Sequence, residues 1–269
     1  MIESRRQQFL AALIGNWDQQ FDPGTGLLAP ETTPLRDSLL YALALLEQGE
    51  HSRLGRAEAI IRQILSSPSA SILDDWSLLS ITWIWAHQRN RLGKRVQQSI
   101  LTVIRQVASN PYIQSLSPLR QFVHLACAKI SGIILLPSLK IASGDFQDIG
   151  QAVRLLIVTN ISGLETEEVL HIQRQCWGLL ADYLERLVEY PGDGNLISAI
   201  GEADALFIVI EKCTYGRIRV TPPPGEGISS IGGDYLFALI TNFDPPSAIA
   251  RRLKQINRLD YATLQTSLL

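Results

Sequence analysis

The chain is short of charge, short of sulfur, and without any signature that names a reaction. Asp, Glu, Lys and Arg make up 19% of its 269 residues, below the quarter usual in globular proteins. That deficit implies much buried surface, or a face covered by another copy, so a homo-oligomer is one expected state. Acidic and basic residues nearly cancel, with a net charge of −2. No basic excess exists to neutralise phosphates, so no nucleic-acid partner is expected. Near the end, Arg251, Arg252, Lys254 and Arg258 point in several directions on a helix and read as a solvated face. Cys127, Cys176 and Cys213 lie far apart with no CxxC spacing. This excludes a zinc ribbon or redox pair, argues against a disulfide framework, and leaves buried free thiols. The histidines, His51, His87, His124 and His171, include no pair at helical metal-binding spacing. They read as structural or exposed, and neither a metal nor a cofactor is expected. There is no GxSxG elbow. Gly225, Gly227, Gly232 and Gly233 do not form GxGxxG, and no Lys-Ser/Thr follows them. The most apolar stretch, Ile130–Leu139, is about half a membrane span and holds Pro137. Phe9–Ile14 is too short for a signal core and lacks a small-residue cleavage site. A soluble, cytoplasmic chain with no membrane partner is the expectation.

What the chain does have is apolar residues, 46% of the total, laid out with a helical period. Leu39–Leu46 is apolar on more than one side, as in a deeply buried helix. Asp37-Ser38 reads as its entry cap with Pro34 upstream, and Gly49 as its stop. His51–Leu65 follows almost at once, amphipathic through Leu54, Ala57, Ile60, Ile61 and Ile64. A connection so short makes the two an antiparallel hairpin. The alternation recurs. Asp74-Asp75 opens Trp76–Asn90, and Gly93 opens a partner through Ala108. Ser117-Pro118 opens Leu119 to about Leu135, with Gly132 and Pro137 predicting a kink or break. Gly144-Asp145 leads to a helix ending near Thr159, then Glu165–Glu189. Asp193-Gly194-Asn195 caps a helix to about Glu211. Thr214–Gly233, rich in proline and glycine, reads as a short extended run and a long ordered loop, whose glycines serve loop flexibility and the helix entry at Asp234, with a lid or rim as the alternative. Asp234–Thr241 and Ser247–Leu259 close the series, and the remainder reads as a tail. Without a linker between halves, residues 1–269 are expected to form one helical domain. The alternation of fully and half-buried helices suggests two layers, closed into an inner and an outer ring or left open as a curved array.

The segments Phe21-Asp22-Pro23-Gly24-Thr25-Gly26-Leu27-Leu28, Arg36–Glu50 and Arg56–Ile61 resemble the first hairpin of (α/α) toroid proteins of the six-hairpin glycosidase type. Asp74–Leu79 is similar to the start of the next unit. The resemblance covers roughly the first 110 residues. It implies an all-α toroid or a curved array of helical hairpins. Six hairpins are usual in that superfamily, and about five are read here. Leu73-Asp74-Asp75-Trp76-Ser77 is also similar to the acidic helix start of class II terpenoid cyclases, although Ile72 stands where their proton-donating aspartate falls. Asn195-Leu196-Ile197-Ser198 with Glu202 resembles part of the class I terpene-synthase metal motif, with Gly194 at the first ligand position.

Asp74 and Asp75 precede an apolar helix, where carboxylates cap free N–H groups and oppose the helix dipole. The same position serves a cavity mouth. In a toroid the starts of the inner helices share one face, which would gather Asp37, Asp75 and Asp234 as candidate catalytic carboxylates. Paired carboxylates are what glycoside hydrolysis uses, one as acid and one as base or nucleophile. Trp76 and Trp83 share a helix face. They pack a core or make an aromatic platform, to which Trp17 and Tyr235 would add; Trp17, Trp76 and Tyr235 are the candidate substrate-binding residues. Three functions follow. The first is a carbohydrate-active enzyme with a central cavity, carboxylate acid/base chemistry and a small-molecule or saccharide ligand. The second is a terpenoid- or prenyl-processing enzyme with an apolar cavity. The third is a non-catalytic helical-hairpin interaction protein.

Overall fold

Burial and helical spacing coincide along most of the chain. The structure, a computed structural model, describes residues 3–29, 34–66, 73–109, 117–133, 149–189, 204–213 and 233–255. Among these the fold is all-α apart from one small hairpin. The helices are α1 (Glu3–Gln20), α2 (Pro34–Gln48), α3 (His51–Leu65), α4 (Asp75–Trp83), α5 (Lys94–Ala108), α6 (Pro118–Ser131), α7 (Ile149–Ser162), α8 (Glu167–Glu189), α9 (Asp204–Cys213), α10 (Gly233–Ile240) and α11 (Ser247–Gln255). Between α1 and α2, β1 (Phe21–Asp22) pairs antiparallel with β2 (Leu27–Leu28). Two compact units emerge: one from Gln7 of α1 through α6, the other from α7 to α11 with the first turn of α1.

In the α1–α6 unit, three helices are buried on every side over their middle turns. They are Ser38–Leu46 of α2, Ser77–Trp83 of α4 and Gln121–Ala128 of α6. α3 and α5 bury one stripe each, Ala57, Ile60, Ile61 and Ile64 in α3 and Val96, Ile100, Val103, Ile104 and Ala108 in α5, as does α1 through Phe9, Leu10, Leu13, Ile14 and Trp17. Packing follows this division. α2 packs on α4 and α4 on α6, while α3 packs on α5; α2–α3 and α5–α6 are the tightest neighbours. The unit therefore has two layers, α2-α4-α6 and α3-α5. Within the first layer Asp75 at the start of α4 reaches Arg120 at the start of α6. Glu47 at the end of α2 reaches Trp83 at the end of α4. Starts lie beside starts and ends beside ends, so these three helices run in one direction.

The helix ends follow from local chemistry, with one correction. Asp37-Ser38 is not the cap of α2. The helix starts earlier, at Pro34, where a missing N–H costs nothing. The Ser38 hydroxyl instead accepts the Leu28 N–H at 2.9 Å, tying β2 to the helix. Gly49, at φ +76°, ends α2 in the left-handed region. Asp74 caps α4 by accepting the Ser77 N–H at 2.8 Å. Ser117 caps α6 through the Arg120 N–H at 3.2 Å, with Pro118 in the first turn. Gly132, at φ +69°, stops α6 ahead of the expected Leu135, and the Ile133 N–H returns to the Ala128 carbonyl at 3.0 Å. Beyond Trp83 the α-pattern widens to a π-turn, Ile84–Gln88, then narrows to a 3-10 turn, Arg89–Arg91.

In the second unit α7 is buried almost all round, and α8 packs along it; α9 also packs on α7, and α11 on α8. The expected Glu165–Glu189 helix is observed as Glu167–Glu189. The expected start signals at Gly144-Asp145 and Asp193-Gly194-Asn195, the Thr214–Gly233 loop up to residue 232, and the tail lie outside the described residues, as does the Asn195–Ser198 and Glu202 motif.

Candidate functional site

The three candidate carboxylates fall in different units, Asp37 and Asp75 in one and Asp234 in the other. Each is paired with an arginine. Arg36 lies 3.0 Å from Asp37. Arg154 lies 2.6 Å from Asp234. Asp75 is engaged on both oxygens: Arg120 donates to Oδ1 at 3.1 Å and the Ser117 hydroxyl to Oδ2 at 3.0 Å. Arg120 also donates to the Leu73 carbonyl at 3.0 Å. One turn on, on the same face of α6, His124 is 1% exposed, and its Nε2 has no partner among the described residues. Burial and the nearby Arg120 hold its imidazole below the usual pKa, hence neutral. Farther down this seam Thr82 Oγ1 lies 3.5 Å from the Cys127 sulfur.

The aromatic candidates divide likewise. Trp17 and Tyr235 are core residues, 4% and 3% exposed, and Trp17 leans on Tyr41 with ring centres 6.0 Å apart. Trp76 is half-buried at the head of α4. Trp83 gives its indole N–H to Glu47 Oε1 at 2.8 Å, where Gln88 also donates at 2.8 Å. The His87 ring lies tilted against Trp83, ring centres 4.1 Å apart. The π-turn brings Gln88 and His87 to this end of α2. Burial lowers the His87 pKa while Glu47 opposes it. Sequence reasoning did not single out this cluster. Its only visible trace is the run Trp83-Ile84-Trp85-Ala86-His87-Gln88.

A concave site does exist in the α7–α11 unit. It is a groove of about 770 Å³ between α8 and the entry to α11, within the range of small-ligand and short-peptide sites. Leu170, Gln173, Arg174 and Trp177, spaced along one face of α8, form one wall. Asp244 to Ser247 and Ala250 form the other. Leu170 is 42% exposed, one of two large apolar side chains so exposed among the described residues. Trp177 is buried at the base, edge-on to Phe243 at 6.3 Å. The walls are joined by Arg252 of α11, which grips Glu185 through two nitrogens at 2.8 and 2.7 Å and reaches Asp182 at 2.6 Å. Such a two-point grip is directional as well as strong, and it raises the Arg252 pKa. Arg252, expected on a solvated face, is a clamp. The groove was not foreseen, because its walls come from segments about seventy residues apart, as the Arg252–Asp182 separation shows.

Among the described residues no group of His, Cys, Asp and Glu is arranged to hold a metal ion, and no helix is long and apolar enough to cross a membrane. No family model, curated protein or solved structure matches the chain.

Proposed function

We propose that the chain is a non-catalytic helical-hairpin interaction protein, which takes a short partner segment into the α8–α11 groove. The observation that carries this reading is the groove itself, with the exposed Leu170 above Trp177 and opposite charges, Arg174 and Asp244, on facing walls. This pattern fits a peptide with one apolar anchor flanked by an acidic and a basic residue. An apolar side chain placed against Leu170 and Trp177 leaves water, at roughly 25 cal/mol per Å² of area buried. The flanking charges select register more than they add affinity. The bonds of Asp75 to Arg120 and Ser117 support the same reading, since they give that carboxylate a structural role in joining the starts of α4 and α6.

The test is a displayed peptide library selected on the full chain and rescreened on Leu170→Asp and Arg174→Glu. Selected peptides should lose tenfold or more in affinity for both variants while the melting temperature stays unchanged. Peptides that bind the variants as well as the native chain would remove the groove from the proposal. The carbohydrate and prenyl readings make a separate demand. A saccharide or prenyl diphosphate that binds the native state must raise the melting temperature, and in the carboxylate reading Asp75→Asn must abolish turnover of that saccharide.

A further inference from the structure

We infer that the outer face of α5, together with the Arg89–Arg91 turn before it, is a docking surface for an extended acidic segment of a partner protein. The chain's net charge of −2 is unevenly spread. From Trp76 to Gly144 the sequence contains no aspartate or glutamate. Much of the resulting positive charge comes to one face. Opposite the buried stripe of α5, Lys94, Arg95, Gln98, Thr102 and Arg105 are all exposed, at the three- and four-residue spacings of a single helix face. The Gln97 amide donates to the Arg89 carbonyl at 3.0 Å and to the Leu92 carbonyl at 2.7 Å. These bonds hold the Arg89–Arg91 turn against the first turns of α5. Among the described residues the side chains of Lys94, Arg95 and Arg105 form no ion pair. Glu58 of α3, which reaches the start of α5, is already engaged by Arg62 at 3.1 Å and by the Gly93 N–H at 3.2 Å.

Folding alone does not account for this placement. The start of a helix favours acids and disfavours cations. Yet α5 opens on Lys94-Arg95, has no acid in its first turn, and receives no side-chain cap from Gly93. Residues set against local stability mark positions with another use. Among polyanions an acidic polypeptide fits this face best. α5 carries no aromatic side chain on which bases could stack, and the tryptophans ahead of it are engaged, Trp83 by His87 and Trp85 by Arg89. Nor is a large apolar side chain exposed on α5, as anchoring in a membrane surface requires. Arg95 and Arg105 lie about 15 Å apart along the helix axis, a span that about five residues of extended chain cover. Acidic runs are themselves extended and unfolded, and opposite charge speeds their capture. The α5 face belongs to the α1–α6 unit and takes nothing from the α8–α11 groove.

The probe is a fluorescein-labelled deca-glutamate peptide, read by anisotropy on the full chain at low salt. The native chain should bind it, and binding should weaken as salt is raised. Lys94→Glu/Arg95→Glu should weaken it about tenfold or more with no fall in melting temperature, since the new carboxylates suit the helix start. Arg174→Glu/Arg186→Glu, the same change of charge at exposed positions of α8, should leave it unchanged. Absence of binding to the native chain, or an equal loss in both double variants, overturns the proposal. So does a thymidine oligonucleotide or a phosphatidylserine vesicle that binds the native chain more tightly than the peptide and loses that binding in Lys94→Glu/Arg95→Glu. Arg105→Glu, at the other end of the face, decides the matter if that double variant does not fold.

Discussion

Replacing Asp75 by alanine separates a helix-start lock from a free acid. The carboxylate accepts one charged bond from Arg120 and one from Ser117. Hydrogen bonds to charged groups contribute about 1.5–3 kcal/mol. The side chains of Asp75 and Arg120 are 29% and 27% exposed, which draws the value to the lower end. Loss of a negative charge from the first turn of α4 adds roughly 0.5 kcal/mol. Asp75→Ala should therefore cost about 2 kcal/mol. For a chain of this size that is roughly 4–8 °C in melting temperature. Urea unfolding followed by tryptophan fluorescence reads the cost directly. A double-mutant cycle with Arg120→Met should give a coupling of about 1 kcal/mol, as expected of groups in one network. An unchanged stability in Asp75→Ala, or a coupling near zero, would refute the claim that Asp75 joins the starts of α4 and α6.

Other outcomes follow from the same reasoning. Gly49→Ala and Gly132→Ala both place a side chain at positive φ, and each should cost about 1 kcal/mol in a denaturant titration. Gly49→Ala should cost more, because its new carbon falls 2.9 Å from Arg91 Nη1 while nothing lies within 4 Å at Gly132. Burial pushes the Cys127 and Cys176 thiols up to about 11 and 12 and raises Cys213 as well. The reactive thiolate is therefore scarce at pH 8. An aromatic disulfide reagent should leave all three unmodified in the native chain and label all three in denaturant. Leu170→Asp should leave stability within about 0.5 kcal/mol, as for an exposed position, which a thermal melt checks.

Where structure was legible in sequence, local signals sufficed. The bounds of α3 follow from an apolar stripe framed by Gly49 and Ser66, and α5 begins after Gly93 as its spacing implies. The layering of α2, α4 and α6 against α3 and α5 was visible as all-round against one-sided apolar patterning. α1 was not, because Arg and Gln flank its apolar positions and leave only Phe9–Ile14 conspicuous. Yet Phe9, Leu10, Leu13, Ile14 and Trp17 form one buried face. Two-residue strands carry no alternation to read, so the β1–β2 hairpin was equally hidden. The Ser38 hydroxyl looked like a cap but is drawn to Leu28, a tertiary contact that local chemistry does not announce. The same holds for the groove, which depends on how α8 and α11 meet.

The widened turn after Trp83 has a consequence for register. A helix advances about 100° per residue, and a π-turn accommodates one residue more than the α-pattern would. Were Ile84–Gln88 to keep the α-pattern with no residue removed, that extra residue would not be absorbed. Everything beyond would then swing round the axis by about that angle. Gln88 would leave Glu47, and Arg91 would lose the Leu46 carbonyl that it now meets at 2.5 Å. That one surplus residue is the spacer that lets α4 lock onto the end of α2 before the chain turns into α5.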